Sequence, residues 1–199
     1  VLIPTILAPR KPGKIIDGVP LADSDQIGVT WLGHAGFFAQ MAGVNLIIDP
    51  NWALWHGPVK RVRHPSLWAG DLPSIELVLI THAHYDHLHL RALKQLGNGQ
   101  PILVPRGVGR LVRRRGFGQI IEMDTWDRVR MGPLDITFTP SKHWGARNVH
   151  DVHRHFGGYH IRNHAGRAVY HAGDSAYFPG FSEIAQLGSI DLAMLPIGA

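Results

Sequence analysis

The apolar run at 77–80 opens directly onto Thr81-His82-Ala83-His84-Tyr85-Asp86-His87, and no other part of the chain constrains the fold as much. A short apolar run without alternation fits a strand buried on both faces, as in parallel sheets covered by helices. Four potential metal ligands follow: His82, His84, Asp86 and His87. In an extended segment, side chains at i and i+2 share a face, so His82 and His84 can converge on one ion. Asp86 and His87 reach an adjacent position only if the chain turns. Imidazole and carboxylate suit zinc and related borderline ions. The 199 residues contain no cysteine, which excludes disulfides, thiolate zinc sites and a cysteine nucleophile, whereas 14 histidines supply ample ligand material.

The rest of the chain reads as α/β, with strands interleaved with a few helices that lie outside the sheets. We read residues 1–25 as an extended lead-in and 26–199 as one domain. Residues 1–8 are apolar but too short to span a bilayer, and docking on the domain is expected. Runs at 28–32, 37–40 and 44–48 predict three antiparallel strands, and 51–75, with Trp52, Trp55 and Trp68, predicts an irregular loop. Further strands are predicted at 102–104, 120–121, 136–139, 159–162, 168–171 and 192–195. Helices are predicted at 90–96, ended by a left-handed Gly97, at 108–115, ended by Gly116, and at 183–187.

Two later segments repeat the strand-then-ligand pattern: His143 follows the strand at 136–139, and Asp174 follows the strand at 168–171. Taken alone, Asp174 serves equally well as a helix cap. The net charge of +5 is concentrated in Lys60, Arg61 and Arg63 and in Arg106, Arg110, Arg113, Arg114 and Arg115. Such groups attract anionic partners, but they also form ordinary solvated faces, and charge alone does not distinguish the two. The three tryptophans suit either an apolar entrance or packing.

Taken in order, His82-Ala83-His84-Tyr85-Asp86-His87, His143 and Gly173-Asp174 resemble the metallo-β-lactamase superfamily. Trp31-Leu32-Gly33-His34-Ala35-Gly36, Ile48-Asp49-Pro50, His143-Trp144 with Arg147, Ala172-Gly173-Asp174-Ser175 and Leu195-Pro196-Ile197-Gly198-Ala199 are similar to its N-acyl-phosphatidylethanolamine phospholipase D branch. The resemblance implies an αββα sandwich with two divalent ions at one edge, zinc foremost and iron or manganese as alternatives. It implies that His82, His84 and His143 hold the first ion, Asp86 and His87 the second, and Asp174 bridges them. A metal-bound hydroxide would attack phosphorus or a carbonyl carbon, with Asp86 as the catalytic group that orients it or passes a proton. His34 and Asp49 would orient ligands by hydrogen bonds.

The implied function is hydrolysis of a small-molecule or lipid phosphodiester, phospholipase D-like, with contact at a membrane surface and a place in the cytoplasm or at the inner membrane face. Alternatives are a lactonase or carboxylic ester hydrolase, a nucleic-acid-processing member, and an inactive remnant. No RNA-binding insertion is evident, so nucleic acid is not the expected partner. The sequence sets no oligomeric state. The family pattern ends with a further histidine on a loop after the last strand. The expectation is therefore a sandwich incomplete at its C-terminus, with that ligand lying in continuing sequence, in another chain, or replaced by water. Of the remaining histidines, His89 and the set His150, His153, His155, His160 and His164 are expected in loops and strands, one of the set standing in for the absent ligand at most.

Overall fold

The computed structural model describes residues 9–12, 22, 26–148 and 150–197. Most of the lead-in, including residues 1–8 and their expected docking, lies outside the described residues, as do Gly198 and Ala199.

The apolar runs pair into two sheets. The first has the order β1 (Ile27–Gly33), β2 (Gly36–Met41), β3 (Val44–Ile48), β6 (Leu77–Leu79), β7 (Pro101–Pro105), β8 (Gln119–Met123). β1, β2 and β3 form the expected antiparallel start, and β3, β6, β7 and β8 run parallel. The second sheet has the order β13 (Leu192–Met194), β12 (Ala168–His171), β11 (Gly158–Asn163), β10 (Leu134–Thr139), β9 (Arg128–Met131). β9 was not anticipated. Its Arg-Val-Arg-Met alternation is too short to stand out from a turn, and only pairing with β10 makes it a strand.

The inner faces pack on each other through Leu46, Ile48, Leu77 and Leu79 on one side and Leu134, Ile136, Phe138, Tyr159 and Ile161 on the other. The outer face of the first sheet buries Ile47, Val78 and Val104 against Ala92, Leu93 and Leu96 of α1 (Leu90–Leu96) and Val112 of α2 (Gly109–Val112). The outer face of the second sheet meets Ile184 of α3 (Phe181–Ala185) through Tyr170 and Ala172. These layers are the αββα sandwich that the resemblance implied.

Three local expectations are corrected. The segment 51–75 contains a hairpin, β4 (Trp55–His56) with β5 (Val59–Lys60), and a 3₁₀ turn at Ala69–Asp71. Gly97 ends α1 with φ −60°, not in the left-handed region. A Cβ there would lie 1.9 Å from the Arg115 carbonyl, so close approach of the two backbones is what demands glycine. The basic helix is one turn, Gly109–Val112, because the chain must turn back for Gly99 N–H to reach the Gly116 carbonyl at 2.7 Å.

Candidate metal centre

Parallel pairing brings the first two motifs together. Ile48 of β3 lies opposite Leu79 of β6, so the residues just beyond both strands, Asp49 and Thr81, meet at one sheet edge. Asp49 is buried, with φ 45°, a left-handed value that non-glycine residues adopt at a strain of about 1–2 kcal/mol. Its carboxylate accepts from Thr81 N–H at 2.8 Å, Thr81 Oγ1–H at 2.5 Å and His87 Nδ1–H at 2.8 Å.

These bonds fix tautomers. A carboxylate accepts only, so Nδ1 of His87 carries a proton, and the buried Nε2 faces the site, 3.3 Å from Asp174 Oδ2. Thr81 Oγ1 spends its only proton on Asp49 and therefore accepts from His82 Nδ1–H at 2.9 Å, which leaves His82 Nε2 with its lone pair. One buried carboxylate thus prepares two imidazoles to bind a cation.

The other strand ends complete the cluster. His143 follows β10 and Asp174 follows β12, and both arrive at the same edge as His82 and His84. His82 Nε2 lies 2.9 Å from His84 Nδ1, and His143 Nε2 lies 3.2 Å from it. Tetrahedral coordination with bonds of 2.0–2.1 Å places ligand atoms about 3.3 Å apart, close to this spacing. Asp174 Oδ2 stands 3.3 Å from His87 Nε2, 3.8 Å from His143 Nε2 and 4.0 Å from His82 Nε2. No helix follows Asp174 directly, which removes the helix-cap reading. His34, with φ 54°, sends Nε2 to Asp86 Oδ2 at 2.7 Å and forms a second compact group with Asp86 and His87. The structure therefore brings together all eight residues singled out in the sequence: His34, Asp49, His82, His84, Asp86, His87, His143 and Asp174.

The electrostatics suit a cation. Burial pushes His82, His84 and His143 below the usual histidine range; their like-charged neighbours add to this, while nearby Asp86 and Asp174 offset part of it at His84 and His143. Neutral imidazole is the form a metal needs. Burial acts against a charged His87 too, but the Asp174 and Asp49 carboxylates facing its two ring nitrogens outweigh it and push the group up to about 10. Without a cation, Nε2 therefore carries a proton toward Asp174 that an ion binding there displaces. Burial would raise Asp174, yet His87 holds it below the usual carboxylate range; likewise His34 and His87 overcome burial at Asp86. Two carboxylates, Asp86 and Asp174, converge on the buried His87 Nε2, at 3.9 and 3.3 Å. Such donors fit one or two divalent ions. The group formed by Asp49 with His82 and His87 is not a further ion site, because Asp49 already accepts three protein hydrogen bonds.

Some supporting residues had not been assigned a role. Arg147 donates from Nη1 to the carbonyls of Ala83 at 2.8 Å and Leu88 at 3.0 Å, and its guanidinium lies 3.9 Å from the Tyr85 ring centroid. It thereby clasps the ligand loop at both ends. Asn51 Nδ2 donates to the Asp86 carbonyl at 2.6 Å. His171 Nδ1 accepts from Gly173 N–H at 3.0 Å and holds the turn before Asp174. Gly173 has φ 63°, and a Cβ there would lie 2.6 Å from the Gly157 carbonyl. A hydroxyl ahead of the cluster and an arginine shortly after His143 were the available signals, but neither reveals a partner. His89 stays out of the cluster and precedes α1, where burial, with the nearby His56 and arginines, lowers it to about 4. Among the described residues, none of His150, His153, His155, His160 and His164 joins a ligand group. Trp52 is buried in the core, whereas Trp55 and Trp68 are partly exposed.

A two-sheet sandwich with histidine and aspartate clusters at the strand ends of one edge defines a metallo-β-lactamase-type protein. The family model described as the beta-lactamase superfamily domain matches residues 44–199, and the chain belongs to that family. N-acyl-phosphatidylethanolamine-hydrolyzing phospholipase D 1 of Caenorhabditis elegans is 34% identical over 197 residues, covering 85% of this chain and 53% of that protein. A UPF0173 metal-dependent hydrolase of Pyrobaculum neutrophilum is 30% identical over 174 residues, covering 86% of this chain and 72% of that one. Among solved structures, Igni18, a metallo hydrolase from Ignicoccus hospitalis, superposes with a TM-score of 0.67 at 28% identity, covering 86% of this chain and 70% of its own. The chain spans about half the length of curated relatives such as the C. elegans enzyme.

Proposed function

We propose that this chain carries the metal centre of a hydrolase that cleaves phosphodiester bonds. In this reading His82, His84 and His143 would hold one divalent ion, Asp86 and His87 would hold a second, and Asp174 would serve as a ligand to both. When bound, the ions, zinc foremost, activate water for attack and offset negative charge developing on the phosphate oxygens. Asp49, directly and through Thr81, holds the Nδ1 protons of His87 and His82 and so turns their Nε2 atoms toward the ions, and His34 orients the Asp86 carboxylate.

One observation carries the choice of phosphodiester over carboxylic ester. A cleft of about 640 Å³ opens beside His34 and Asp86, walled by Trp31, Val59 and Val62 and edged by Lys60, Arg61 and Arg63. Apolar walls with a cationic edge suit an anionic substrate that carries an apolar group. The same exposed Trp31, Val59 and Val62 beside basic residues support contact with an anionic lipid surface as part of this proposal. The C. elegans relative, whose name gives it a phospholipid substrate, supports the same choice.

The test is a substrate panel of bis(p-nitrophenyl) phosphate, a lipid phosphodiester and a lactone, with metal analysis of the purified protein. Turnover of the phosphodiesters, abolished in Asp86→Ala and His84→Ala, with about two ions per chain, is the expected result. Lactone turnover without phosphodiester turnover would move the assignment to ester hydrolysis. Unchanged turnover in both variants would remove the metal centre from the chemistry.

A further inference from the structure

A second feature lies away from the metal centre, on the outer face of the second sheet. Register places Arg128, Thr137 and His160 in one row across β9, β10 and β11, and Arg130, Asp135 and Arg162 in the next. The side chains that alternate with these, Val129, Leu134, Ile136 and Ile161, belong to the core between the sheets, so the polar rows face outward. They line a cleft of about 570 Å³ that Gln186 and Leu187, just past α3, close on one side.

Three guanidiniums face one carboxylate in this cleft. Asp135 pairs with Arg130 at 3.7 Å, and Arg130 also meets His164 Nε2 at 2.5 Å. Neither Arg128 nor Arg162 has an ion pair among the described residues. Arg128 on β9 and Arg162 on β11 flank β10, so three positive charges share the cleft with one negative charge, and nothing in the fold of the sheet requires that excess. His160 at the floor of the cleft is 3% exposed, and its Nε2 is buried without a hydrogen-bond partner. A buried polar atom left unsatisfied costs about 1–3 kcal/mol, so its presence calls for a reason. Burial and the nearby Arg162 and Arg128 lower its pKa and keep the ring neutral, and a neutral ring can turn an N–H toward an acceptor.

We infer that this cleft is a binding site for a small phosphorylated molecule, its phosphate held between Arg128 and Arg162 with His160 beneath it. Guanidinium forks match phosphate oxygens in pairs, and an anion would relieve both the repulsion between the arginines and the unsatisfied histidine. The cleft exceeds a lone phosphate and has the size of sites that hold small organic ligands. The inference does not rest on the hydrolase reading, because it uses none of that site's residues.

The experiment is isothermal titration of the metal-loaded protein with inorganic pyrophosphate, and with glycerol 3-phosphate, at low ionic strength. Wild type should bind saturably. Arg128→Gln/Arg162→Gln should bind about tenfold more weakly or worse, as should His160→Asn to a lesser degree, with bis(p-nitrophenyl) phosphate turnover unchanged. Without ligand, the double variant should melt at or above the wild-type temperature, since its like charges are gone; this also shows that it folds. Absence of saturable binding at millimolar pyrophosphate would overturn the assignment. So would equal binding by wild type and the double variant, since the metal centre would then be the phosphate's site.

Discussion

Replacing Asp49 by asparagine tests whether one buried carboxylate sets the protonation of two ligands. The asparagine oxygen can still accept Thr81 N–H, as Asp49 Oδ1 does at 2.8 Å. Its NH₂ group then occupies the place of Oδ2, which accepts from Thr81 Oγ1 at 2.5 Å and from His87 Nδ1 at 2.8 Å. Two donors would face a donor. The strain is relieved if Thr81 turns to accept from the amide and donates to His82 Nδ1, while His87 Nδ1 also becomes an acceptor. Both imidazoles then carry their proton on Nε2, the atom meant for a cation. Loss of such orienting partners weakens metal binding by about 10–100-fold, equivalent to about 1.4–2.7 kcal/mol. We expect that range for Asp49→Asn in a chelator-competition assay. Thr81→Val should show a smaller loss, since it frees only His82. Wild-type metal affinity in Asp49→Asn, with a lowered melting temperature alone, would refute the argument and leave Asp49 a purely structural group.

Three other perturbations have definite expected outcomes. Arg147→Ala removes two carbonyl bonds and the stacking on Tyr85; it should destabilise the fold by about 2–4 kcal/mol in denaturant unfolding, and an unchanged midpoint would show that the clasp is idle. Gly97→Ala forces a Cβ against the Arg115 carbonyl and should lower stability by more than about 2 kcal/mol, whereas Gly70→Ala, which meets open space, should stay within about 0.5 kcal/mol; equal effects would contradict the close-approach account. Lys60→Gln/Arg63→Gln should raise KM for an anionic phosphodiester several-fold at low salt and lose that effect at high salt, with kcat little changed; a salt-independent change would point to packing instead.

Much of the site was legible because its residues are of types that rarely cluster by chance. His82, His84, Asp86 and His87 announce themselves within one segment, the strand-then-ligand pattern adds His143 and Asp174 as candidates, and the resemblance adds His34 and Asp49. The roles of Thr81, Arg147, Asn51 and His171 were not legible. Each acts through a hydrogen bond to a residue distant in sequence or to a backbone atom, and threonine, asparagine or arginine in a loop has no distinctive spacing. Gly97 shows the same limit. Its position at a helix end suggested a left-handed turn, but the need for glycine comes from Arg115, across a contact that local pattern does not encode.

The sequence by itself determined the ligand types, the strand that delivers the first four of them, and the alternation of strands and helices. These follow from short-range chemistry: which atoms bind cations, and which runs of side chains want burial. Only the tertiary structure decided that the Asp49 carboxylate reaches Thr81, that His34 reaches Asp86, and that the arginines of β9 and β11 share one cleft. Those placements depend on strand order and register, which are set by how two whole sheets bury their faces against each other rather than by any one segment.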